Sequence, residues 1–249
     1  MTKVICLLNQ KGGVGKTTIS FNLAHGLAQL GLKVLVIDND GQANLTGSFL
    51  AEGEKPKCYT SSMYRGSISN PQEVGPNIWL VAGDDDLDSV QFMPEGPDVF
   101  AQIVEKIIAE NIFDYIVIDS NPQITNLTLA GIMASDYLIV PLQPSKYGLD
   151  GLRKLFLKVK EMRSTEASHA SLLGFVMNKV KPTRLHRTTI QKLRKMYPQY
   201  IFETVIHELT AYEESPLDQK SIFDYEPSSR AALDMSAFVR EVIRKIGSE

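Results

Sequence analysis

The chain is short of several things, and each shortage closes off a class of protein. Only two of its 249 residues are cysteine, too few for a disulfide framework or a four-cysteine metal site. Cys6 lies in an apolar run, where a buried core thiol is expected, and Cys58 stands alone. The histidines, His25, His169, His186 and His207, show no H-x-x-x-H spacing for a metal. No stretch approaches the roughly 20 apolar residues of a membrane span, and the apolar run at 4–8 is too short for a signal peptide. A cytoplasmic protein is therefore expected. Charge of one sign is not in excess either: the net charge is −3, so any nucleic-acid site has to be a local patch. No linker, repeat or low-complexity tract divides the chain, and a single domain over 1–249 is expected.

What is present is alternation. Short Val- and Ile-rich runs at 4–8, 34–37, 78–81, 115–118, 137–140, 172–177 and 201–206 read as strands covered on both faces. Amphipathic stretches at 16–30, 99–110, 149–162, 185–196 and 229–246 read as helices. Residues 52–77, broken by glycines and prolines, read as irregular surface. The pattern predicts an α/β fold, a mostly parallel twisted sheet flanked by helices on both faces.

The first strand runs into NQKGGVGKTT, residues 9–18. The usual phosphate loop, G-x-x-x-x-G-K-[ST], wants a glycine where Gln10 stands, and it has no use for the second lysine, Lys11. The rest fits. Gly12, Gly13, Val14 and Gly15 let backbone N–H groups curl around phosphate oxygens at a helix N-terminus. Lys16 is placed to reach the β- and γ-phosphates, Thr17 to ligate Mg²⁺, and Thr18 closes the loop. Phe21, Leu23, Ala24, Leu27 and Leu30 give the following helix its inward face. Two further strands end in carboxylates: VLVIDND places Asp38 and Asp40, and FDYIVIDS places Asp119. Ligands of open α/β sheets bind at those strand ends. Asp119 fits the Mg²⁺ side of phosphoryl transfer, and Asp40 fits an attacking water.

With these residues in place, the sequence resembles the ParA/Soj partition ATPases, a branch of the deviant-loop P-loop ATPases that includes MinD. The resemblance runs from Lys3 to about Ile246. KGGVGKTT matches the family loop, DNDGQAN at 38–44 is similar to its D-x-D-P-Q-G-N segment, and VIDSNP is similar to its strand ending in D-x-P-P-S. VPLQPSKYGLDGL at 140–152, GFVMNKV, and FETVI with EESP resemble later family segments. The resemblance implies ATP and Mg²⁺ as cofactors and a homodimer formed on ATP binding. It implies that Lys11 crosses to the partner's nucleotide, so that Lys11, Lys16 and Asp40 are catalytic. It also implies that Asn178 helps hold the adenine, and that Asp38 joins Thr17 and Asp119 around the metal, directly or through water. Gly41, Ala43, Asn121 and His207 depart from the family pattern, at positions where proline or glycine is usual.

A tract from 179 to 195 carries Lys179, Lys181, Arg184, Arg187, Lys192, Arg194 and Lys195 with no acid among them. Such a tract suits phosphate backbones without reading bases, and Arg230 falls where relatives have a basic residue near the final helix. Together with the resemblance it implies non-specific DNA binding on the nucleoid, released by hydrolysis that a ParB-like activator stimulates. Two alternatives stay open: a MinD-like membrane role, and ParA-like positioning of a non-DNA cargo. The membrane role would use Phe238, Val239, Val242, Ile243 and Ile246 on the last helix, opposite Arg240, Arg244 and Lys245. Packing of that helix on the sheet is the expectation.

Overall fold

Residues 1–123, 125–145 and 168–248 are described by a computed structural model. The eight strands are β1 (Lys3–Leu7), β2 (Val34–Asn39), β3 (Gln72–Gly75), β4 (Ile78–Val81), β5 (Tyr115–Ser120), β6 (Tyr137–Leu142), β7 (Ser171–Val180) and β8 (Ile201–His207). They form one sheet in the order β3-β4-β2-β5-β1-β6-β7-β8, and every pairing is parallel except β3 with β4. The helices are α1 (Lys16–Gln29), α2 (Asn44–Phe49), α3 (Thr60–Tyr64), α4 (Leu87–Val90), α5 (Gly96–Ala109), α6 (Asn126–Met133), α7 (Arg184–Met196), α8 (Ala211–Glu214), α9 (Ile222–Tyr225) and α10 (Arg230–Gly247).

Alternation along each strand divides the core in two. Val4, Cys6 and Leu8, with Leu35 and Ile37, face a cluster completed by Phe100 and Ile103 of α5, Leu127 of α6, and Ile190 and Leu193 of α7. Ile5, Leu7, Val34 and Val36 face the other way, onto Phe21, Leu23 and Leu27 of α1 and Phe238, Val239 and Val242 of α10. A strand whose successive side chains both need cover reads as an unbroken apolar run, as these do.

The last helix packs on the sheet, as expected. Phe238, Val239 and Val242 are at most 2% exposed, and freeing each would cost roughly 1.5–3 kcal/mol. A membrane anchor would have to unpack the core first. Among the described residues no helix is long and apolar enough to cross a membrane.

Two expectations need correction. Residues 52–77 are not wholly irregular: they hold α3 and β3, and β3 pairs antiparallel with β4 across a bulge. β3 is a polar edge strand, Gln72-Glu73-Val74-Gly75, with no alternation to betray it. Short helices such as α2 and α3 are one to two turns long, too brief for a periodic signal. α5 also begins earlier than its periodicity, because Pro97 fits a first helical turn. The expected helix at 149–162 lies outside the described residues.

Candidate nucleotide site

The C-terminal ends of β1, β2, β5, β7 and β8 converge on a cavity of about 500 Å³. Its floor is the loop between β1 and α1. Gly13 and Gly15 have φ of 72° and 89°, a left-handed backbone that glycine adopts without the penalty of a Cβ. Gly15 stands at the N-cap of α1, and no side chain caps that helix. Its first-turn N–H groups are thus available to an anion, with the helix dipole behind them. Gly12, Gly13, Gly15, Lys16, Thr17 and Thr18 all line the cavity. Val14 is buried beneath, and its carbonyl accepts from Asn178 Nδ2 at 2.7 Å.

Lys16 is 7% exposed. Burial lowers its pKa, while Asp119 and Asp40 act against that shift. Asp119 accepts from Thr17 Oγ1 at 2.7 Å and from Ser20 Oγ at 2.9 Å. Burial raises its carboxyl to about 6 despite those two bonds and the Lys16 charge. Asp40 lines the cavity, 9% exposed, and its Oδ1 accepts from Gln42 N at 3.1 Å. Glycine N–H groups, a lysine, and a threonine hydroxyl seated on a carboxylate are the donor set that a triphosphate and a hard cation require. The residues present fit Mg-ATP.

Asp38 is the third residue expected around the metal, directly or through water. It is fully buried and absent from the cavity wall. Its Oδ2 accepts from both Thr46 N, at 2.8 Å, and Thr46 Oγ1, at 2.7 Å. Thr46 Oγ1 in turn accepts from Gly83 N at 2.9 Å, so Asp38 ties α2 and the turn after β4 to the end of β2. Burial first, and repulsion from Asp119 second, raise its carboxyl to about 7. Asp119 keeps its charge more readily because it has Thr17, Ser20 and Lys16, so the repulsion falls on Asp38.

Lys11 is exposed and does not line the cavity. Among the described residues it is held through its backbone, by a bond from its N–H to Asn9 Oδ1 at 2.9 Å. Asn178 sits where β7 shifts register against β8, next to Lys179 at φ 53°. Such a bulge re-aims side chains, and here Asn178 bridges to the loop while lining the cavity.

The basic candidates divide. Arg184 and Arg187, and Lys192 and Lys195, form two pairs at three-residue spacing along α7, all exposed, while His186, Ile190 and Leu193 are buried. They therefore share one solvent-facing stripe. The other three hold partners. Lys181 Nζ is 2.7 Å from Glu208, Arg194 donates to the Glu203 carbonyl, and Arg230 Nε is 2.8 Å from Asp234 Oδ1.

The far wall of the cavity lies where the FETVI and EESP segments are similar to the family's region near the base. Ile206, His207, Glu208, Leu209 and Tyr212 of the β8–α8 region, with Met235 of α10, complete it. His207 N and Nδ1 both lie against Asp234 Oδ2, at 3.1 and 2.6 Å. Nothing local in the sequence joins residues 207 and 234. Ser20 was readable, lying one helical turn after Thr17 on the side facing β5.

A deviant glycine loop opening α1, at the switch point of a parallel sheet in this strand order, defines a P-loop ATPase of the ParA/MinD type. The chain belongs to the AAA domain family AAA_31, whose sequence model matches residues 2–172. It is 29% identical to the sporulation initiation inhibitor protein Soj of Bacillus subtilis, over 93% of this chain and 94% of that one. It is equally 29% identical to the chromosome-partitioning ATPase Soj of Thermus thermophilus, over 97% and 96%. The solved structure of apo McdA from Cyanothece shares the fold, with a TM-score of 0.84 at 24% identity, over 99% of this chain and 100% of that one.

Proposed function

We propose that the chain hydrolyses Mg-ATP, closes into a homodimer around it, and holds DNA non-specifically until hydrolysis releases it. The observation that carries the DNA reading is the stripe of Arg184, Arg187, Lys192 and Lys195. Four exposed cations stand on one helical face with no carboxylate paired to them among the described residues. An ordinary solvated helix face carries both signs. Pairing two such stripes in a dimer raises affinity through effective concentration, which makes DNA binding depend on nucleotide.

In this reading Lys16 and the loop N–H groups hold phosphate charge, while Thr17 and Asp119 hold Mg²⁺, which neutralises charge on the transferred phosphoryl group. Asp40 orients the attacking water, and Thr46 and Asp38 brace the segment that carries it. Lys11, free of its own cavity, supplies a cation to the partner's site, where a water-poor interface makes that charge most effective. Such a cycle moves DNA, or a cargo carried on it, in the cytoplasm with a ParB-like activator.

Sedimentation with Mg-ATP tests this against plasmid DNA and against anionic liposomes. The protein should pellet with DNA, independently of sequence, and not with liposomes. Arg184→Glu with Arg187→Glu should weaken DNA binding at least tenfold and flatten its salt dependence by about two phosphate contacts. Liposome binding, or an unchanged salt slope in the double variant, would overturn the assignment.

A further inference from the structure

We propose that His207 selects the base of the bound nucleotide. This rests on the reading that the cavity holds Mg-ATP, and it concerns the wall opposite the phosphate loop. β8 lies three positions from β1 in the sheet, on the order of 14 Å at ordinary strand spacing. A nucleotide anchored at the loop and extended along the cavity brings its base to Asn178 and then to the end of β8.

His207 lines that end, with its side chain 28% exposed. Its ring is fixed by a relay that the family's usual proline could not make. Asp234, 6% exposed, accepts from Arg230 Nε on Oδ1 and from both the His207 N–H and the ring Nδ1 on Oδ2. A proline has no N–H to give. An ionised carboxylate only accepts hydrogen bonds, so Nδ1 carries the proton. In the neutral ring Nε2 is then an acceptor, and among the described residues it has no partner.

The rest of this wall adds little competing polarity. Ile206, Leu209 and Met235 are apolar, and the Tyr212 hydroxyl is committed to the Ala231 carbonyl at 2.8 Å. Glu208 pairs with Lys181. Lys179 and Glu213 border the cavity but are respectively half-buried and exposed, and a solvated side chain discriminates weakly. A fixed acceptor here accepts from the exocyclic amine of adenine. Guanine offers an oxo group at the corresponding atom, and two acceptors facing each other repel. A site built to hydrogen-bond a donor rejects the analogue that lacks it.

The test is the ratio of ATP to GTP affinity, by competition against a fluorescent ADP analogue. The protein should prefer ATP by about tenfold to a hundredfold. His207→Ala should bring the ratio to within about threefold of one. His207→Phe keeps the ring's bulk and the backbone N–H, and it should lower the ratio in the same way while both nucleotides still bind. A Phe variant that retains the original ratio, or loses both nucleotides equally, overturns the assignment. So does an unmodified protein that binds ATP and GTP alike. Failure to bind either nucleotide would instead overturn the nucleotide reading beneath it.

Discussion

At the phosphate end of the cavity, most of the wall is one run of chain, residues 12–18, and its donors are backbone N–H groups set by Gly13 and Gly15. At the opposite end the wall is assembled from β8, the turn after it and α10, and its fixed polar group is a side chain oriented by a residue 27 positions away. Phosphate is the same on every nucleotide, so a local, backbone-built cradle suffices. A base has to be told from another base by side chains, which can be exchanged one at a time. The first end is therefore built by backbone and the second by side chains, His207 among them.

The largest difference between the two ends is expected at Lys16. Lys16→Met removes the buried cation of the loop and should weaken ATP and GTP equally, by about a hundredfold. Calorimetric titration with both nucleotides checks it, and an effect on one nucleotide alone would erase the division between the two ends.

A second effect separates the carboxylates behind the loop from the rest of the fold. Asp38 and Asp119 have raised carboxyls in the folded chain, at about 7 and about 6. Between the ordinary carboxylate range and pH 7 the folded state therefore binds more protons than the unfolded state. Stability from this source is present at low pH and lost as pH rises through that window. Thermal unfolding of the nucleotide-free protein should show the fall. Asp38→Asn, which can still accept from Thr46, should flatten it, and Mg-ADP should flatten it too by offsetting the charge of Asp119.

The smallest effect lies at Ala43, which caps α2 at φ 50° where the family's usual residue is glycine. A left-handed alanine costs about 1–2 kcal/mol, and the added freedom of glycine in the unfolded chain returns about 0.4–1 kcal/mol of that. Ala43→Gly should still stabilise by roughly 0.5–1 kcal/mol, read as a rise in Tm. A fall would mean that this turn is not strained.

Most of the scaffold was legible because buried parallel strands are written as continuous apolar runs. The strands at 34–37 and 78–81 in the sequence reading correspond to β2 and β4 with starts unchanged. β3 escaped because an edge strand needs no apolar alternation. The glycines of the loop were legible, since a left-handed backbone at Gly13 and Gly15 demands them in fixed positions. The orientation of Asp38 was not, because its strand-end position is compatible with facing either the cavity or Thr46, and only packing against α2 and Gly83 decides. The Asp234–His207 contact was invisible for a related reason: it joins a strand end to a helix through tertiary packing alone.

In the proposed cycle ATP closes two copies of this chain around their nucleotides through Lys11. The direct test is the solution mass of the hydrolysis-impaired Asp40→Ala protein by sedimentation velocity, with Mg-ATP and with Mg-ADP. The account predicts a dimer with ATP and a monomer with ADP, and a return to monomer when Lys11→Ala is added although ATP still binds. A monomer in saturating ATP, or a dimer indifferent to Lys11, would contradict it.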